Sequence, residues 1–190
     1  MKKYAPSWIV FMSTLVLPGL ALAHAGDTHA HFLQALAHPF TGADHLLAMV
    51  CVGLWGALRG GRQIWLAPLA FVASMAAGAA LQSAGVALPG AEPMVAASVL
   101  VIGSLVVMHE ALAAFAALGL FAAFALFHGA AHARELDVAS ALPGMLIGTA
   151  ALHAVGASLG LMLRSRSRAW PMLIGSGSMA VGAALLLGAA

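Results

Sequence analysis

Apolar residues occupy this chain in long blocks rather than in alternation, and the breaks between blocks are short and carry Gly, Pro or charge. The blocks lie near Leu36–Leu58, Ile64–Gln82, Met94–Met108, Leu112–Ala131, Leu142–Leu163 and Trp170–Gly188. Each approaches the ~20 residues that a helix needs to cross ~30 Å of hydrocarbon. Lipid cannot satisfy the open backbone of a strand or loop, so such blocks are read as helices. The pattern predicts an all-α integral membrane protein, a bundle of six transmembrane helices. The third block is the shortest, and the polar pair His109-Glu110 sets its end.

An earlier apolar stretch, Ile9 to Leu22, reads differently. It follows the positive start Met1-Lys2-Lys3, is broken by Pro18-Gly19 and ends at Ala21-Leu22-Ala23. A short apolar core closed by a small-x-small tripeptide is the pattern of a secretory signal peptide, whereas an uncleaved anchor would not carry the helix breakers. Residues 1–23 are therefore expected to be removed. His24 becomes the mature amino terminus on the periplasmic side of a bacterial inner membrane, and residues 24–190 form one transmembrane domain.

The arginines test this layout. With the amino end outside, Arg59 and Arg62 fall in the first cytoplasmic loop and Arg164, Arg166 and Arg168 in the last, while Arg134 stands outside beside Glu135 and Asp137. Five arginines inside against one outside is the bias of the positive-inside rule.

Composition agrees. The chain is 63% hydrophobic and only 7% charged, with a mean hydropathy of +1.00, whereas a soluble domain has roughly a quarter of its residues charged. A net charge of +2 gives no reason to expect nucleic acid, and no GxxxxGK[ST] phosphate loop is present for ATP. The single cysteine, Cys51, allows neither an internal disulfide nor a CxxC pair. The ten methionines are scattered as core filler. Metal chemistry would fall to histidine and carboxylate.

Such residues are costly inside a membrane and mark a site by default. Two clusters stand out: His38-Pro39-Phe40-Thr41-Gly42-Ala43-Asp44-His45 at the start of the first span, and Phe127-His128-Gly129-Ala130-Ala131-His132-Ala133-Arg134-Glu135 at the end of the fourth. Residues four and seven apart share a helix face, so His38 with His45, and His128 with His132 and Glu135, each point two imidazoles one way with a carboxylate close by. Facing helices can hold a cation between such residues. Pro39 disfavours helix at His38, and broken helices at membrane depth serve ion sites in transporters. Asp44 either binds the metal or orients an imidazole from behind. His153, in the fifth span, is a contributor from a third helix or a packing histidine. His109 and Glu110 are a solvated turn or an exit point. His24, His29 and His31 near the free amine are a capture site for divalent metal or a disordered polar leader.

The spacing His38-x5-Asp44-His45, followed by Phe127-His128-Gly129-x-Ala131-His132-x-x-Glu135, resembles the two signature motifs of the HupE/UreJ family. The resemblance spans the signal, the six spans and both motifs in their order. It implies a small bacterial permease supplying nickel, in some members cobalt, with the metal-site roles passing to His38, Asp44, His45, His128, His132 and Glu135. Where the family usually has glycine this chain has Ala133, which adds a methyl group beside His132. The choice of nickel over cobalt comes from the family, because imidazole suits several divalent ions and raw affinity favours copper.

The expected partners are therefore a divalent metal ion as cargo and the bilayer, with room for a homo-oligomer and no permanently bound cofactor. The chain is not expected to be an enzyme. Two other functions compete: an intramembrane zinc hydrolase, for which neither HExxH nor a serine-based constellation is present, and a sensor or chaperone that binds metal without moving it. Neutral imidazole binds metal and imidazolium does not. Uptake is therefore expected to weaken as external pH falls through about 6.5, the reference histidine value, and a rate that stays flat to about pH 5 would contradict an imidazole-dependent step.

Overall fold

The computed structural model describes residues 28–135 and 138–188, with the side chains of residues 28–30 and 135 outside that description. Among the described residues the chain is wholly helical: α1 (Thr28–Ala37), a 3-10 turn (His38–Phe40), α2 (Ala43–Arg59), α3 (Gln63–Ser83), α4 (Ala91–Val107), α5 (Ala114–Glu135), α6 (Val138–Leu163) and α7 (Ala169–Leu186). Of these, α3, α5, α6 and α7 are long and apolar enough to cross a membrane, while α4 has 17 residues. The signal segment, residues 1–23, and His24 lie outside the described residues.

The first block departs from the expected single helix. α1 with its 3-10 turn meets α2 at a bend of 73°. Pro39 supplies no backbone donor and disfavours helix before it, and Gly42 is extended (φ −96°, ψ 128°) as the cap of α2. Residues from Thr28 onward are also not a disordered leader. α1 lies against α6, where Gly144 faces the carbonyl of Phe32 and Gly148 that of Leu36, and Ala35 is fully buried.

Close helix approach at glycine organises the rest. Between lipid-facing helices, packing at small residues replaces the hydrophobic drive available in water. α3 and α5 are locked by two facing glycines: a Cβ on Gly78 would collide with the carbonyl oxygen of Leu126, and one on Gly129 with that of Met75. α2 and α6 repeat the device, with Gly53 against the carbonyl of His153 and Gly156 against that of Val50. On α4 and α7, a Cβ on Gly103 would stand 2.8 Å from the oxygen of Gly175, and one on Gly175 2.7 Å from that of Gly103. Trp55, Phe71 and Phe121 fill the interior, whereas Trp65, Phe115 and Leu173 point outward, as a lipid-facing surface requires.

Polar residues divide between the two ends. The starts of α2 and α4 and the ends of α5 and α7 meet at a cavity of about 490 Å³ lined by Asp44, His45, Glu92 and Ala131, among others. At the opposite end Arg59, Arg164, Arg166 and Arg168 surround a cavity of about 430 Å³ together with His109 and Glu110.

The glycine contacts make a direct test. Gly129→Val is expected to destabilise the protein by about 1–3 kcal/mol or more through overpacking. Gly177→Ala, with nothing within 4 Å of its added Cβ, should stay within about 0.5 kcal/mol of the parent. Thermal unfolding in detergent compares them.

Candidate metal centre

The break between α1 and α2 brings His38 back over the start of α2. Thr41 ties the turn by donating both its backbone N–H (3.0 Å) and its hydroxyl (2.8 Å) to the carbonyl of His38. Pro39 is buried in the turn. His38 and His45 therefore meet without sharing a helix, their rings 5.7 Å apart. Their spacing of seven residues predicts the same neighbours, but the turn, not a helical face, produces the contact.

Asp44, in the first turn of α2, fixes His45. Its Oδ1 accepts the backbone N–H of His45 at 2.7 Å and lies 2.7 Å from His45 Nδ1. A carboxylate only accepts hydrogen bonds, so the ring proton sits on Nδ1 and the lone pair on Nε2. That Nε2 is buried and has no hydrogen-bond partner. Gly42 provides the room, since a Cβ there would stand 2.6 Å from Asp44 Oδ1 and 3.4 Å from His45 Nδ1.

α5 brings the other two imidazoles. His128 and His132 are one turn apart and almost wholly buried. The His132 ring centroid is 4.9 Å from that of His38 and 4.5 Å from that of His45, and the His128 ring is 4.9 Å from His45. One ligand nitrogen from each of His38, His45 and His132 falls within 4.8 Å of the others. His128 is held from α4. Its Nε2 lies 2.9 Å from Ser98 Oγ, and that hydroxyl gives its proton to the carbonyl of Val95 at 2.6 Å. Ser98 must then accept from Nε2–H, which leaves the lone pair on the buried, unpartnered Nδ1. Neither nitrogen of His132 has a hydrogen-bond partner.

The remaining candidates lie elsewhere. The side chain of Glu135 falls outside the described residues, as does that of His29. His31 is exposed on α1. His153 is buried on α6, and the Phe71 ring packs against both it and His128, at 5.2 Å and 5.3 Å between ring centroids. His109 and Glu110 stand at the arginine end. Arg59 donates to the His109 carbonyl at 2.9 Å, His109 Nδ1 lies 3.0 Å from the Val106 carbonyl, and Glu110 pairs with Arg168 at 3.9 Å. A dication passing there would meet four guanidinium groups.

Three participants escape a reading of the sequence alone: Ser98, Phe71 and Glu92. Glu92 carried a signal, as a carboxylate at the start of an apolar helix. Ser98 and Phe71 are ordinary residues in their helices until their neighbours are known.

Comparison with known proteins fits this arrangement. The family described as HupE / UreJ protein matches over residues 12–185, which includes every imidazole of the cluster. The chain belongs to the HupE/UreJ family. Protein HupE of Rhizobium leguminosarum bv. viciae is 37% identical over 182 residues, covering 93% of this chain and 95% of its own length. No solved structure matches. Together with four apolar helices of crossing length, HupE/UreJ membership makes this a multi-pass helical membrane protein. The departure at Ala133 is absorbed locally, for that residue is half-buried and packs on the apolar core.

Gly42→Ala is expected to push the Asp44 carboxylate away and release His45 from its fixed tautomer. The 15N imidazole spectrum of His45 should show this, while stability changes by only about 1 kcal/mol, because a flexible side-chain end and not backbone must move. An unaltered His45 spectrum would refute the link.

Proposed function

We propose that this protein is a permease of the bacterial inner membrane that carries a divalent transition-metal ion, nickel first and cobalt second, through the cluster of His38, His45, His128 and His132. The observation that supports it most is the convergence of three ligand nitrogens from His38, His45 and His132 within 4.8 Å. His45 and His128 each keep one lone pair on a buried nitrogen because the other ring nitrogen is occupied by Asp44 or Ser98. Neutral imidazole donors suit nickel, cobalt, zinc and copper. The preference for nickel follows HupE/UreJ membership.

In this reading Asp44 acts behind His45, the arrangement that commonly orients a metal-binding histidine. Glu135 keeps the ligand role that the family motif implies. The bent pair α1–α2 serves as the first of six spans and α4 as the third, after removal of residues 1–23. The histidine end then faces the periplasm, and the arginine end faces the cytoplasm by the positive-inside rule. The ion enters through the cavity beside Glu92, with His24, His29 and His31 collecting it outside. His109 and Glu110 are left out of the route because of the arginines around them.

Cells expressing the chain are expected to accumulate labelled nickel, and cobalt less, and the Asp44→Ala, His128→Ala double variant at equal membrane abundance should lose about tenfold or more. Binding of metal by the parent without accumulation would point to a sensor. Turnover of lipid or peptide by the parent, with no uptake, would point to an intramembrane hydrolase.

A further inference from the structure

We propose that His153 is a second, inner ligand for the transported cation, taken up after the four-histidine cluster, with the Phe71 ring as the partition between the two stations; this rests on the permease reading. His153 is 2% exposed, and neither Nδ1 nor Nε2 has a hydrogen-bond partner among the described residues. A neutral imidazole carries one N–H and one lone pair, so a donor and an acceptor are both stranded in an apolar interior, where unmet polar groups are costly. A leucine would fill the same space without that cost. A passing cation with its residual water would meet both needs.

Placement supports the order of the two stations. The backbone of His153 lies against Gly53, eight residues beyond His45 on α2, or roughly 12 Å further toward the arginine end. Phe71 is one turn beyond Met75, whose carbonyl meets Gly129 next to His128. Its ring packs against both His128 and His153. On α6, Thr149 stands one turn nearer the cluster than His153 and on the same face. It is fully buried, and its hydroxyl points at the thioether of Met75 at 3.7 Å, a weak acceptor. Thr149 and His153 thus continue a polar line inward from the cluster through a wall that is otherwise apolar. The tight approach of α2 and α6 at Gly53 fixes the backbone of His153 against α2. A station offering one protein nitrogen binds more weakly than a cluster of four, which lets the ion move on.

The test uses the full chain in proteoliposomes with nickel as the only added metal and a trapped chelating dye as the reporter, comparing the parent with His153→Gln and His153→Leu. Nickel affinity and thermal unfolding are measured on the same proteins in detergent. Both variants are expected to lose about tenfold or more in initial uptake rate while nickel affinity at the cluster changes by less than about twofold, the split of an interaction used only in passage. The melting temperature of His153→Leu should equal or exceed that of the parent. Uptake at the parental rate in both variants overturns the proposal. So does a loss of affinity in step with uptake, which would place His153 in the outer site, or a loss of uptake that tracks a fall in melting temperature. A parent that moves no nickel removes the permease reading and this inference together, whereas unaffected variants beside an active parent remove this inference alone.

Discussion

Where the buried imidazole nitrogens of this bundle find partners decides the shape of the histidine end. A polar group taken out of water without a hydrogen bond is costly, yet His128, His132 and His153 are all almost wholly buried. Two of the rings at the cluster are half satisfied. His45 gives its Nδ1 proton to Asp44, and His128 gives its Nε2 proton to Ser98. Each partner settles a tautomer, and each tautomer leaves a lone pair on a buried nitrogen. The other ring nitrogen of each is left for a hydrogen-bond donor or, in the proposed permease, for the metal ion. The glycine contacts serve the same end, since Gly129 presses α5 onto α3 directly beside His128, and Gly42 leaves the space that Asp44 occupies.

The two ends of the bundle carry opposite chemistry, and this bears on direction. The carboxylates of Asp44 and Glu92 and the imidazole of His45 line one cavity, while four arginines dominate the other. A dication is drawn to the first and repelled by the second. The arginines are also occupied in structure: Arg59 reaches back to the carbonyls of His109 and Leu112 and lies over the ring of Trp55. In the proposed topology they stand at the cytoplasmic face, where basic residues set orientation.

Much of the cluster is legible in the sequence, because His38, Asp44, His45, His128 and His132 are conspicuous against long apolar blocks. The boundaries of α3, α5, α6 and α7 likewise fall close to the hydropathy blocks. The bend before α2 is only half legible. Pro39 marks a break, but the 73° turn depends on α1 finding Gly144 and Gly148 on α6, a contact more than a hundred residues away. Ser98 is not legible at all. Its bond to Val95 is the ordinary habit of serine within a helix, and the second bond exists only because α4 passes beside α5. Phe71 is one of eight phenylalanines, and nothing but its position between two imidazoles sets it apart.

The donor set also bears on how tightly an ion is held. Four of the proposed ligands at the cluster are neutral imidazoles, and among the described side chains the Asp44 carboxylate is turned toward His45. Glu92 stands exposed at the cavity rim. A dication there is bound through donor bonds more than through neutralised charge. Magnesium and calcium, which demand oxygen ligands, gain little from such a site, whereas first-row transition ions gain much. The same feature limits the depth of binding. A ring of carboxylates in a low-dielectric interior would hold a dication by strong Coulomb attraction, but neutral donors leave most of its charge uncompensated. In the proposed permease the ion would then be selected by its chemistry and would remain free to be drawn onward by the next donor.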